Sequence, residues 1–202
     1  MKLHQWQQTR KEFTLLDTLK AKRFALKYIA DGDTVLDIGC GNCDFLDLVK
    51  QQRPNTNLHA FDINREARKI AEQKGYPFHS TFSISKTFNV ITMFECLEHL
   101  DYQARLEYAA LITRLLTKDG TLILSFPHIK SSLSLAHYYD NPEHKPPYPL
   151  QSNILKLFDG YRIINKLYFH PWLNPLKIAS CLITGLSLNA SYHNVCFVLQ
   201  RN

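Results

Sequence analysis

Residues 34–62, TVLDIGCGNCDFLDLVKQQRPNTNLHAFD, decide how this chain is read. Thr34 to Ile38 is a short apolar run with strand character. It ends in the glycine-bearing turn Gly39-Cys40-Gly41-Asn42-Cys43, which opens a helix from about Asp44 to Gln52. Asn57 to Asp62 then reads as a second strand. Two apolar strands joined by a helix pair in parallel, and near-continuous apolar strands belong to a sheet covered on both faces.

The rhythm continues outward from that stretch. Arg65 to Lys74 reads as a helix closed by Gly75, Tyr76 to His79 as a short strand, and Phe88 to Met93 as a fourth strand. A helix from about Asp101 to Leu116 ends in the turn Lys118-Asp119-Gly120, and Thr121 to Phe126 is the fifth strand. Ser152 to Phe158 reads as a helix, Tyr161 to Tyr168 as a strand, 173–188 as an apolar helical stretch, and Asn194 to Gln200 as a last strand. Strands alternating with helices in this way define a doubly wound α/β domain. Residues 1–202 are read as one domain, with 1–30 a helical cap at its N-terminal end and 127–150 and 172–189 as insertions on the substrate side. The first insertion is rich in proline, and a long loop inside a compact domain is usually functional.

Composition excludes several function classes. The 202 residues are 45% hydrophobic and 21% charged, which is incompatible with wholesale disorder. The longest apolar stretch, Ile178 to Leu188, is interrupted by Ser180, Thr184 and Ser187 and falls short of the ~20 residues that span a bilayer. Residues 1–13 lack the pattern of a secretory signal, so a cytoplasmic location is expected. Five scattered cysteines do not form a disulfide framework and are expected to be reduced thiols, and Cys40 and Cys43, with no second half of a zinc site, are read as part of the loop and as neither a zinc nor a redox pair. The net charge of +6 includes a basic run, Lys20, Lys22, Arg23 and Lys27, which reads as one solvated helix face.

In an open α/β sheet a ligand binds beyond the carboxyl ends of the strands, where the strand order reverses. The turn after the first strand is such a place. Its glycines let the backbone approach a ligand closely, and Asp37 offers a carboxylate to the loop or to a cationic ligand. Asp62, 21 residues after Gly41, suits two vicinal ribose hydroxyls. A nicotinamide site would carry a third glycine at position 44, which is Asp44 here.

These residues resemble the class I S-adenosylmethionine-dependent methyltransferases. VLDIGCGNCDFLDLV is similar to the first motif of that family, FDIN to its ribose-binding acid, FNVITMFECLEHL to its fourth-strand motif and LLTKDGTLILSFP to the stretch through its fifth strand. The resemblance covers roughly residues 33–130 and implies a mostly parallel, seven-stranded sheet whose last strand is antiparallel. It implies that Asp37, Gly39, Cys40 and Gly41 line the methionine and ribose end of S-adenosylmethionine. Asp62 would hold the ribose hydroxyls, Ile63 would lie against adenine, and Phe94 and Glu95 would form a nearby wall. Two departures stand out. The frequent third glycine of the motif is Cys43, and the acid often found after the third strand is missing from His79-Ser80-Thr81-Phe82.

Methyl transfer to a hydroxyl requires alignment and removal of a proton. In Glu95-Cys96-Leu97-Glu98-His99 the i, i+3, i+4 spacing would put Glu95, Glu98 and His99 on one face of a helical turn, able to take a divalent cation. The same E-x-x-E-H pattern resembles that of metal-dependent O-methyltransferases acting on catechol-type quinone precursors or on the terminal ribose of small RNAs. That likeness adds His144 as a fourth ligand for magnesium, manganese or zinc. Glu98, His99 and His144 are equally candidates for acid–base work without metal.

The acceptor would enter between the N-terminal helices, 127–150 and 173–188, where Tyr138, Tyr139, Tyr148 and Trp172 supply aromatic surface. The expectation is methyl transfer to an oxygen or nitrogen of a small molecule, aromatic and lipid-like acceptors both suiting these segments. Residues 173–188 could also touch a membrane surface, although a helix packed on the sheet explains them better. Two other functions fit the same residues. One is an RNA ribose O-methyltransferase, with Lys130, Lys145 and the Lys20 to Lys27 run as its thin basic support. The other is a non-catalytic binding module that retains the fold.

Overall fold

In the computed structural model, which describes residues 18–127, 143–146, 151–169 and 194–202, the deciding stretch folds as strand, turn, helix and strand. A helix over 18–25 (α1) precedes β1 (Thr34–Ile38), α2 (Asp44–Gln52) and β2 (Asn57–Phe61). These are followed by α3 (Arg65–Gln73), β3 (Phe78–His79), β4 (Phe88–Phe94), α4 (Tyr102–Leu115) and β5 (Leu116–Pro127). Beyond them lie α5 (Gln151–Leu157), β6 (Tyr161–Phe169) and β7 (Asn194–Arg201). The expected helix over 173–188, residues 1–17 of the N-terminal cap, most of 127–150, and Tyr138, Tyr139, Tyr148, Trp172 and Lys130 lie outside the described residues.

Among the described residues seven strands form one sheet in the order β3-β2-β1-β4-β5-β7-β6. β1 pairs in parallel with β2 on one edge and with β4 on the other, so the order reverses at its carboxyl end. β7 runs antiparallel to both β5 and β6. The mostly parallel, doubly wound sheet with an antiparallel last strand is therefore present.

Alternation along the strands divides the core. Val35, Ala60, Val90 and Ile123 face Phe24 of α1, Phe45 and Leu46 of α2 and Ala67 and Ala71 of α3. Leu36, Ile38, Ile91, Met93, Leu122 and Leu124 face Tyr108, Leu111, Ile112 and Leu115 of α4 and Ile154 of α5. Among the described residues each face thus packs its apolar side chains against helices, which leaves the strand exits for ligands. Asn64 caps α3 by accepting from Glu66 N–H at 2.9 Å, and Asp101 caps α4 by accepting from Ala104 N–H at 2.8 Å.

Two expected boundaries change. The third strand shortens to Phe78–His79, because it pairs with β2 only at Ala60 and Phe61. The expected turn Lys118-Asp119-Gly120 lies inside β5, which begins at Leu116. Between the pairs Phe88↔Leu116 and Val90↔Thr121, β5 advances five residues while β4 advances two. The extra residues bulge out of the ladder, which keeps both flanking segments paired.

Gly120 closes that bulge against its own strand. A Cβ there would meet Leu116 Cγ and Cδ1 and Thr117 Oγ1, each at 2.8 Å, and Leu116 is buried. Gly120→Ala is expected to destabilise the protein by about 1–3 kcal/mol through overpacking. Denaturant unfolding measures it, and an unchanged midpoint would mean that the bulge opens freely.

Candidate active site

The loop after β1 is built from hydrogen bonds to the end of β2. Gly39 N–H and Cys40 N–H both donate to the Phe61 carbonyl, at 2.8 and 3.2 Å. Gly41 N–H donates to Asp62 Oδ2 at 3.0 Å, and Asn64 N–H donates to Asp62 Oδ1 at 2.8 Å. Gly39 and Gly41 carry φ of 75° and 49°, the left-handed region in which glycine costs little. A Cβ at Gly41 would meet nothing within 4 Å, so the loop backbone borders open space there. Cys43, standing where the motif resemblance puts a third glycine, adopts φ 60° and is fully buried.

Asp37 lies directly before this loop on β1, with only 3% of its surface exposed. Its Oδ1 accepts from Thr92 Oγ1 on β4 at 2.7 Å. Burial pushes its carboxyl up to about 7; the Thr92 hydrogen bond and the Lys22 charge act the other way, and Asp62 adds to the rise. Ile63, beyond Asp62, is 76% exposed and offers a branched apolar side chain to whatever occupies the loop. Phe94 is buried beneath the loop, edge-on to Phe45 with ring centroids 4.8 Å apart.

The exit of β4 differs from the single helical face that the sequence predicts. Glu95 adopts φ 48°, and the helical turn is a 3-10 turn confined to Leu97–His99. Its backbone N–H donates to the Ser125 carbonyl at 2.9 Å. Its carboxylate accepts from Ser125 Oγ and, at 3.1 Å, from Asn194 Nδ2, and so leans toward β5 and β7. Glu95 and Cys43 are the described non-glycine residues with positive φ, and each follows one of the two strands that flank the reversal of strand order. Strain of roughly 1–3 kcal/mol per residue persists where surrounding structure holds it, commonly at functional sites.

Glu98, His99 and His144 do come together. Each offers a ligand atom, and these atoms lie within 4.8 Å of one another. The rings of His99 and His144 have centroids 5.0 Å apart. Glu98 is only 1% exposed; burial, and next the Glu95 carboxylate, push its carboxyl well up, while the Arg105 guanidinium pulls it down. One carboxylate and two imidazoles are a donor set that could hold a divalent ion such as zinc, and Glu95 is not among the three that converge.

What brings residue 144 to residue 99 is Arg105, which sequence reasoning missed. Its side chain is buried in α4 and donates from Nε to the Leu97 carbonyl at 2.9 Å and from Nη2 to the Lys145 carbonyl at 2.7 Å. Lys145 N–H in turn donates to the Glu98 carbonyl at 2.7 Å. The signal was available: Arg105 shares the buried face of α4 with Tyr108, Ala109 and Ile112, a position where a charge needs a dedicated partner. Arg105→Ala is expected to cost about 3–5 kcal/mol, as removal of one member of a buried charged network does. Chemical denaturation of the variant tests this, and unfolding at the parent midpoint would show that the staple is dispensable.

A family profile described as "Methyltransferase domain" matches residues 7–161. The Candida albicans protein "Ubiquinone biosynthesis O-methyltransferase, mitochondrial" is 31% identical over a region covering 46% of this chain and 32% of its own. The chain thus spans about a third of the length of that curated relative. Among solved structures, a SAM-dependent methyltransferase from Archaeoglobus fulgidus superposes with TM-score 0.74 at 19% identity, covering 97% of this chain and 99% of that one. The Burkholderia thailandensis 1,6-didemethyltoxoflavin-N1-methyltransferase superposes with TM-score 0.65 at 15% identity, covering 92% and 78%. At these identities the two structures share the fold. No helix among the described residues is long and apolar enough to cross a membrane.

Proposed function

Because the chain belongs to the class I S-adenosylmethionine-dependent methyltransferase family, we propose that it moves a methyl group from S-adenosylmethionine to a hydroxyl oxygen of a small molecule held at the exit of β4. The convergence of Glu98, His99 and His144 beside the reversal of strand order carries this reading. The curated relative is by its name an O-methyltransferase, which agrees with a site able to remove a proton from oxygen.

The loop after β1 fits the cofactor. Open space over Gly41, a buried carboxyl at Asp37, the Asp62 carboxylate and exposed Ile63 match in turn a close backbone approach, a cationic methionine end, a ribose diol and an adenine face. S-adenosylmethionine supplies an electrophilic methyl group on a sulfonium, whose transfer neutralises charge. Asp37 holds the cationic end, Asp62 accepts from the ribose hydroxyls, and Phe94 supports the loop from below. An imidazole of the His99 and His144 pair takes the acceptor proton. Held there, a divalent ion bound by Glu98, His99 and His144 would lower the pKa of an acceptor hydroxyl.

The deciding experiment is calorimetric titration of S-adenosylmethionine and S-adenosylhomocysteine into the protein, with and without manganese or zinc. Binding is expected, and Asp62→Ala should weaken it by roughly 1–3 kcal/mol by leaving the ribose hydroxyls unpaired. Unchanged affinity in that variant would refute the ribose assignment. Failure of both ligands to bind would favour a binding module that keeps only the fold.

Asp37 adds a pH dependence. Its carboxyl is neutral below about 7 and anionic above, and a cationic ligand favours the anion. Affinity for S-adenosylmethionine should therefore rise by about tenfold between about pH 6 and pH 8. Asp37→Asn should flatten that profile, and a slope that survives the substitution would remove Asp37 from the site.

A further inference from the structure

We propose that Cys40 and Cys43 form a reversible disulfide across the loop after β1, and that its formation weakens cofactor binding. The proposal rests on that loop holding the cofactor.

The geometry of the pair is that of a closed turn. Cys43 N–H donates to the Cys40 carbonyl at 2.8 Å. A four-residue turn of this kind keeps its end Cα atoms within about 7 Å, the range that a disulfide of roughly 4.4–6.8 Å requires. Both side chains also pack into the same buried cluster beneath the loop. Both cysteines are unoxidised.

The surroundings favour reaction at one sulfur. The neighbouring Cys40 thiol pulls the Cys43 thiol down against its burial and the Asp37 carboxylate, and the Lys74 charge adds to the lowering while Asp47 opposes it. Lys74 Nζ is held over the loop by the Asn42 carbonyl at 2.6 Å and Asp47 Oδ2 at 2.5 Å. Cys43 also precedes the first residue of α2, where the helix N-terminus favours an anion. The Cys40 thiol is pushed up by its Cys43 neighbour and by burial. Cys43 is itself fully buried and Cys40 keeps 7% of its surface in solvent, so a small oxidant reaches the Cys43 sulfur when the exposed turn Gly41-Asn42 opens beside Cys40.

With hydrogen peroxide as the oxidant, the Cys43 thiolate attacks one peroxide oxygen, the O–O bond breaks, and a sulfenic acid and hydroxide result. The Cys40 sulfur then displaces hydroxide from the sulfenic sulfur, and the Cys40 proton leaves with it. In sum two thiols and one peroxide give one disulfide and two waters, and a dithiol reductant reverses the change. Drawing the sulfurs to a bond of about 2.05 Å tightens the turn whose middle carries Gly41. Gly41 N–H then loses its alignment with Asp62, and the loop can no longer present both to a ribose.

The experiment treats the full chain with hydrogen peroxide, blocks remaining thiols with iodoacetamide, and reads the peptide containing both residues by mass spectrometry. The expected result is a peptide lighter by two hydrogens and unalkylated at Cys40 and Cys43, restored by dithiothreitol. Calorimetry with S-adenosylhomocysteine should show the oxidised protein binding at least about tenfold more weakly, a difference near 1.4 kcal/mol. Peroxide should leave the affinity of Cys43→Ser and Cys43→Ala unchanged. Alkylation of both thiols after peroxide, a disulfide to Cys96 instead, or equal affinity of the oxidised and reduced forms would overturn the proposal. Failure of the reduced protein to bind S-adenosylhomocysteine would overturn the cofactor reading, and with it the redox control, while the peptide mass still judges the disulfide alone.

Discussion

The carbonyl of Phe61 accepts from two successive amides, Gly39 and Cys40, and the site is organised around that shared bond. It ties the exit of β1 to the exit of β2 and sends the chain into α2 from a fixed point. Because β1 is hydrogen-bonded on both edges, its neighbours turn away to opposite sides only where it ends. The opening left there is flanked by Asp37, Asp62 and the backbone of Gly41. The fold therefore makes a pocket without any residue being chosen to line a cavity; the residues only have to suit what enters it.

The second half of the site depends on a different kind of bond. Buried Arg105 joins the turn Leu97–His99 to Lys145, segments that the sequence connects only through the family resemblance that adds His144. A guanidinium holds two carbonyls in fixed directions, which a lysine in the same place would not do. The imidazole of His144 is thereby carried to His99, and the buried carboxyl of Glu98 lies beside both. Glu95 is held at the exit of β4 by Ser125 and Asn194, and its carboxylate lies near enough to Glu98 to push that carboxyl up.

The sequence was most legible where local and global preferences agree. Thr34–Ile38 and Asp44–Gln52 have the bounds expected of them, because an apolar run, a glycine turn and a helical period each speak independently there. It was less legible where pairing overrides local chemistry. Lys118-Asp119-Gly120 has the composition of a turn, yet β4 holds the residues on either side in one ladder, and the turn becomes a bulge. Glu95, Glu98 and His99 have helical spacing, but the left-handed backbone at Glu95 breaks the period. The resemblance put His144 with His99, but the Arg105 bonds that hold the two segments together join residues too far apart for any pattern within a short window to show.

The place of β7 in the sheet governs the order of assembly. β7 follows β6 in the chain but lies between β5 and β6, so β6 has no partner until β7 has inserted beside β5. Every residue from 161 to 169 must wait, unpaired, while the chain continues to Asn194. The parallel half of the sheet can form early from nearby segments, whereas the antiparallel half closes in one late, long-range step. A ribosome-bound chain halted before residue 194 would expose the bare edge of β5, and such an edge invites pairing with another molecule.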